Sequence, residues 1–377
     1  MALWKQYSGV WTMQQQMQAL AAGNWTGGPG LWSWGRNHRG QLGQGNITNY
    51  SSPKQVGALT NWLSIAAGLY HTVTIKTDGT LWSWGYNLYG QLGLGNTTNY
   101  SSPKQVGALT TWSKITAGSY HTLSIKTDGT LWSWGLNNYG QLGLSNTTYY
   151  SSPKQVGALT TWSKVSAGAD FSLAIKTDGT LWSWGGNNAG QLGLGNTTYY
   201  SSPKQVGGLT TWSSISAGAY HTVAIKTDGT LWSWGYNAQG QLGQGNTTHL
   251  SSPKQVGALT TWLSAAAGGY HSLAIKTDST LWSWGANSSG QLGLGNTTAY
   301  SSPKQVGALT TWLSVAAGFY HNLAIKTDGT LWSWGYNGYG QLGQGNTTNL
   351  SSPIQVGALT TWSSIFASYL HSLATHS

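Results

Sequence analysis

Histidine and aspartate are the residues in this chain best equipped for acid–base or metal chemistry, and both recur with a fixed period. His71, His121, His221, His271, His321 and His371 occupy one equivalent place in repeats of 50 residues. A ring of imidazoles is a conceivable metal site. A residue demanded by nearly every repeat reads instead as framework, hydrogen-bonded to a neighbouring strand or loop. One repeat replaces Tyr-His by Asp170-Phe171, which breaks any symmetric metal set. The chain has seven acids, all aspartate. Asp78, Asp128, Asp178, Asp228, Asp278 and Asp328 sit in Asp-Gly or Asp-Ser turns, and the turn explains them without catalysis. Asp170 stands outside such a turn and reads as a solvated loop acid or as a local binding contact. With no Glu and no Cys, no acid–base pair, thiol nucleophile or thiolate metal site can be assembled. The expectation is a protein that is not an enzyme and uses neither cofactor nor metal.

Binding chemistry has better material. The chain carries 24 Trp and 20 Tyr in 377 residues, while charged residues are only 6%. Most positions agree between the seven internal copies, and variation collects at few places. The Gly-x-Asn-x-x-Gly stretch carries Arg36, His38 and Arg39, then Tyr86, Leu88 and Tyr89, then Leu136, Asn138 and Tyr139, with Tyr236, Tyr336 and Tyr339 further on. The Ala-Gly-x position carries Leu69, Ser119, Gly269, Phe319 and Tyr369. These two sites flank paired strands and emerge at the same end, opposite the Asp-Gly turns. Together with Asp170 and Phe171 they form the candidate binding face. Rigid aromatic loops on a stable scaffold suit recognition of a protein or a glycan. A third variable position (Asn99, Tyr149, Tyr199, His249) is expected elsewhere on the rim.

The net charge is +10. Six lysines precede the turn aspartates and are read as balanced by them. Six more, Lys54 to Lys304 at 50-residue steps, are spread around a ring, whereas nucleic-acid binders concentrate charge on one face. No nucleic-acid partner is expected. No run of eighteen apolar residues exists, so no membrane insertion is expected either. Asn-x-Thr recurs from Asn46 to Asn346 and reads as a repeated loop.

The elements that would position these residues are short strands. Leu-Trp-Ser-Trp-Gly returns seven times, from 31–35 to 331–335, without insertion or deletion. A unit such as 81–130 alternates in short runs broken by Gly, Asn, Ser, Thr and Pro, with no helical period. It predicts strands at 81–84, about 90–94, about 112–116 and 121–126, with Ser-Ser-Pro-Lys-Gln (101–105) as a connector because of its proline. A two-residue turn at Asp128-Gly129 would set Ile125 against Trp132 and Leu123 against Trp134. One sheet face would then be large and the other, with Ser124 and Ser133, small. Seven such sheets covering one another give an all-β fold, a seven-bladed β-propeller. The first unit lacks a preceding strand and the last a following one. Residues 31–34 are therefore expected to pair with 370–375 and seal the ring.

The string Trp-Gly-x-Asn-x-x-Gly-Gln-Leu-Gly, followed by Ala-Gly-x-Tyr-His and a Thr-Asp-Gly turn, resembles the regulator of chromosome condensation repeat family. The resemblance covers 31–377 and implies a seven-bladed propeller, in agreement with the count above. It does not fix a function. Members include a nuclear exchange factor for a small GTPase and a secreted bacterial inhibitor of β-lactamase. The equal length of every unit argues against the exchanger, whose blades diverge and carry insertions.

Residues 1–30 form a separate leader. Thr12 caps a short predicted helix whose Met13, Met17 and Leu20 share one face, and Asn24 to Gly30 reads as a linker. The stretch with Trp4, Trp11 and Trp25 resembles leaders of tailed-bacteriophage virion proteins, and no signal peptide is evident. The expected function is a non-enzymatic virion component, a tail fibre, spike or capsid-surface protein. The leader would attach to other virion proteins. The propeller would be displayed at the virion surface for a host glycan or receptor. The alternative is a bacterial protein-binding propeller, an inhibitor or adhesin.

Overall fold

A computed structural model describes residues 30–376. These form seven four-stranded antiparallel sheets arranged as a propeller. In a representative blade the innermost strand is Trp112–Ala117, followed outward by His121–Lys126, Leu131–Gly135 and Tyr150–Gln155. The last blade joins the two ends of the chain. Gly30–Gly35 pairs with His371–His376, with Leu31 opposite Thr375 and Trp34 opposite Ser372. The expected closure is therefore present, and both terminal strands are paired on both sides. The helix expected around Met13, Met17 and Leu20 lies outside the described residues.

Two local expectations need correction. The fourth strand of each unit is the Tyr-Ser-Ser-Pro-Lys-Gln segment, such as Tyr100–Gln105, and 90–94 is a turn. Proline is accommodated because this is the outer edge strand, and the pairing is irregular between Ser83 and Gly85. The hairpin register is also shifted by one. Gly129 N–H donates to Lys126 O, and Lys126 N–H donates to Thr130 O, so the loop holds three residues and Gly129 takes φ 77°. In the blade built on 262–305, Ser279 takes the same left-handed conformation at φ 59°. Ile125 then faces Leu131 and Leu123 faces Ser133, while Ser124 faces Trp132 and Thr122 faces Trp134.

A one-residue slip moves every side chain to the other face, and this one changes how the blades stack. Each sheet has an aliphatic face and a tryptophan face. Val73, Ile75, Leu81 and Val106 of one blade bury Trp112 and Trp134 of the next. The same contact follows at the next seam, where Leu123, Ile125, Leu131 and Val156 meet Trp162 and Trp184. Complementary large faces, not a large face on a small one, exclude water between blades.

Polar groups lock the seams. The Trp134 indole N–H donates to Gln91 O of the preceding unit at 3.0 Å. Thr122 Oγ1 donates to the same carbonyl at 2.9 Å. The Thr122 oxygen therefore accepts from His71 Nε2, 3.1 Å away in the preceding blade. Six seams carry this histidine contact, the partner being Thr, Ser or Asn. The histidines are framework residues. Burial pushes His121 down to about 3, so the ring is neutral.

At the turn end the lysines feel the charge of the aspartates, as expected, and have ring partners besides. Asp128 Oδ1 accepts from the Thr130 backbone N–H at 2.9 Å and from its hydroxyl at 2.7 Å. Lys126 Nζ lies 3.6 Å from the Trp132 ring centroid and 4.9 Å from that of Trp112. Such a cation–π contact contributes about 0.5–1 kcal/mol at an exposed site.

Candidate binding face

The Ala-Gly-x segments converge on the propeller axis. Leu69 N–H donates to Ser119 O, Ser119 N–H to Ala169 O, and Ala169 N–H to Ala219 O. The chain of bonds continues through Gly269 to Phe319 and Ser368. The Ser368 hydroxyl donates to Gly68 O and closes the ring, which needs small residues. A Cβ on Gly118 would come within 2.2 Å of His121 Cε1 and 2.5 Å of Gly168 O. The ring encloses a narrow cavity of about 80 Å³ lined by alanine and glycine.

Three aromatic residues, Phe319, Phe366 and Tyr369, complete the lining. The Phe319 and Tyr369 rings stack with centroids 4.5 Å apart. The Tyr369 hydroxyl lies 2.8 Å from Ser119 Oγ, two blades further round the ring. Burial pushes the Tyr369 phenol up. Phe319 in turn covers Gly269, where a Cβ would meet its ring at 2.7 Å. Gly269, Phe319, Tyr369 and Ser119 fit one another, so these positions form a built plug, and Leu69 is half-buried beside the cavity lining.

Around the plug lie the variable loops, at the end opposite the turns as the sequence indicates. Their frame is constant. Asn137 is buried; its Oδ1 accepts from Leu142 N–H at 2.9 Å, and its Nδ2 donates to Asn146 O at 2.9 Å. Gln141 Oε1 accepts from Tyr139 N–H. Main-chain bonds tie each loop to the axial segment: Tyr86 N–H to Tyr70 O, Arg36 N–H to Leu370 O, and Gly186 N–H to Asp170 O.

On this frame the candidate residues form a continuous track. Tyr236 packs 5.9 Å from Tyr270, Tyr270 5.3 Å from Phe319, and Phe319 4.4 Å from Tyr320. Tyr336 follows at 6.1 Å and Tyr339 at 6.4 Å. The Arg36 guanidinium bridges Tyr339 and Tyr70, at 4.6 and 5.3 Å from their centroids. His38 stands edge-on to Tyr70 at 4.8 Å. Tyr70 leads to Tyr86 at 6.2 Å, over which Arg39 lies at 5.1 Å, and then to Tyr89. Burial and the charges of Arg36 and Arg39 push His38 down to about 4, so it is neutral at neutral pH.

The third variable position lies on the same loops: Asn99 Oδ1 accepts from Asn87 N–H, and its aromatic counterparts pack on loop rings. Tyr149 packs 5.7 Å from Tyr89, Tyr199 packs 5.3 Å from Tyr139, and His249 packs 4.6 Å from Tyr236. Asp170 is half-buried beneath the short Gly186 loop, and burial raises its carboxyl. It is not a solvated loop acid. Phe171 does not reach the face. It replaces the framework histidine and packs fully buried with Leu173 and Leu192. The tyrosines of the Tyr-His pairs, Tyr70, Tyr120, Tyr220, Tyr270 and Tyr320, were hidden by their regularity. Strand alternation was the available signal, because a residue next to a buried histidine is turned away from it. The leader residues Trp4, Trp11, Met13, Met17, Leu20 and Trp25 lie outside the described residues.

An RCC1-like domain model matches residues 26–269, and regulator of chromosome condensation (RCC1) repeat models match 278–325 and 328–375. The chain belongs to the RCC1-like propeller family. The RCC2 homolog of Danio rerio is 42% identical over 53 residues, which is 14% of this chain and 11% of that protein. The Xenopus laevis homolog is 40% identical over a stretch of the same length. The chain therefore matches about a tenth of the length of these relatives. Human WBSCR16 superposes with a TM-score of 0.84 at 22% identity, covering 92% of this chain and 98% of that one. Prp20p of Saccharomyces cerevisiae gives 0.85 at 22%, covering 93% and 92%. At that identity the likeness is one of fold.

Proposed function

We propose that this RCC1-like propeller is a non-enzymatic scaffold that holds a protein partner on its loop end. The carrying observation is the unbroken track of rings and guanidinium groups on that end, set on repeats that are otherwise nearly identical. Aromatic and arginine side chains on a rigid frame are the usual anchors of protein interfaces. The structure of Prp20p was described together with its binding to Gsp1p and histones, which supports protein binding as a use of this fold. The test exploits unit six, whose equivalent residues are Ala286 and Ser289. Full chain and the variant Tyr86→Ala, Tyr89→Ser, Tyr336→Ala are used as bait in extracts of the source culture. A partner kept by the first and lost by the second is expected. Partners held equally by both baits would remove the loop end from the interface.

A narrower placement, on a bacteriophage particle with residues 1–30 as the attachment segment, rests on the leader alone. Immunogold labelling with a propeller antibody tests it: gold on particles supports that placement, and bare particles beside labelled cells end it.

A further inference from the structure

The loop end is not uniform, and its asymmetry points to the chemistry of what it binds. Exposed large apolar side chains on this end fall in units one to four, beginning with Ile47, 65% exposed beside the Asn37 loop. Leu88 is 56% exposed, Tyr139 41%, Tyr149 42% and Tyr199 46%. Unit six offers Ala286, Ser288, Ser289 and Ala299 at the matching places. The apolar sector is continuous with the cationic one. Arg39 lies on Tyr86, Tyr86 meets Tyr89, Tyr89 meets Tyr149, and the Tyr149 hydroxyl donates to Asn138 Oδ1 beside Tyr139 and Tyr199.

Charge on this end is one-sided. Arg36 is fixed between two tyrosine rings and Arg39 is exposed over a third. Six of the seven acids lie in turns at the opposite end, and Asp170 sits under the unit-four loop. The two guanidinium groups thus keep donors that the fold has not matched with carboxylates. Guanidinium groups recognise carboxylates through paired N–H donors.

From this juxtaposition we infer that the loop end docks an acidic protein segment. Its carboxylates face Arg36 and Arg39, and its apolar side chains cover Leu88, Tyr149, Tyr139 and Tyr199. An acidic polysaccharide would satisfy the arginines. It is a poorer match for an exposed leucine, because sugar rings carry hydroxyls around most of their edge. The inference rests on the binding-face reading above and adds the class of segment bound.

The experiment is selection of a random peptide library displayed on yeast against the full chain, followed by binding of purified selected peptides. Selected peptides are expected to be rich in Asp and Glu with interspersed Leu or aromatic residues. Their affinity falls with salt, and drops about tenfold or more in Arg36→Ala/Arg39→Ser, as loss of a buried charge partner requires. Leu88→Ser and Tyr149→Ala, which copy unit six in kind, weaken binding again, while Leu109→Ser leaves it unchanged. Heparin and polygalacturonate are run as separate probes. If they bind in an Arg36- and Arg39-dependent way and peptides do not, the protein assignment falls. If selected peptides are not acidic but still lose binding in the Tyr86, Tyr89, Tyr336 variant, this inference fails and the binding face stands. Peptides indifferent to every loop substitution would overturn both.

Discussion

The turn end and the loop end of this propeller are built from the same repeats yet obey different rules. At the turn end the same contacts recur from unit to unit. Six lysines lie over indole rings, and where the seventh would stand, His376 packs 5.8 Å from Trp32 and 5.9 Å from Trp362. At the loop end the frame residues, Asn137 and Gln141 and their equivalents, are as constant, but the residues between them range from glycine to arginine. The main-chain bonds of the loops go to those buried amides, so the intervening side chains carry no structural duty. What varies is free to vary because the periodic layer already holds the loop.

The strongest way to test that division is to attack every copy of the periodic layer at once, which acid does. His71, His121, His221, His321 and His371 are held at about 3 and His271 at about 4, in each case chiefly by burial. The folded values lie below the unfolded value of 6.5. The unfolded chain thus binds more protons between 6.5 and about 3, and stability falls as pH drops through that window. Above 6.5 these groups contribute no slope. Each histidine costs up to about 1.4 kcal/mol per pH unit within it. Six acting together cost roughly 8 kcal/mol per unit, against about 5–15 kcal/mol for a whole domain. The turn aspartates, whose values are lowered by their bonds to threonine, add slope of the same sign at lower pH. Tryptophan fluorescence is expected to report cooperative unfolding within about two pH units below 6.5. His121→Phe, which copies the Phe171 seam, moves the midpoint to lower pH. A chain still folded at pH 3 would show that the histidines are not buried as a set.

Much of this layer was legible from residues alone. Period, blade number and the closing pair of Leu31–Trp34 with the C-terminal strand follow from counting, because each repeat is one unit that needs neighbours. The role of the histidines followed from their recurrence. The hairpin register did not. Asp128-Gly129 fits a two-residue turn as well as the last two residues of a three-residue loop, and only the seam decides between them. The wrong register put Leu123 and Trp134 on one face and left the blades no complementary surface. Pro103 hid an edge strand for a related reason: proline excludes a central strand, and position in the sheet is not written in one repeat. The candidate face was legible as variation, since Arg36, Tyr86 and Tyr339 depart from their counterparts. Phe171 was misplaced because variation was taken as exposure. It varies inside the core, where a histidine bond was exchanged for apolar packing. The tyrosines of the Tyr-His pairs were missed for the opposite reason, being constant and half-exposed.

A paired substitution measures the same division one residue at a time. Trp134 is fully buried between blades, with its indole N–H on Gln91 O. Leu88 is 56% exposed at the loop end and has a serine counterpart in unit six. Trp134→Ala removes a large core side chain and is expected to destabilise by about 3–5 kcal/mol. Leu88→Ser is expected to fall within about 0.5 kcal/mol of the parent, since it leaves no cavity and copies a residue the scaffold already tolerates. Urea titrations at pH 7.5, above the histidine window, separate the two. A Leu88→Ser loss approaching that of Trp134→Ala would mean that the loops support the propeller, and the exposed sector would then be structure before it is surface. A neutral Leu88→Ser that also loses the selected peptides would assign that side chain to recognition alone.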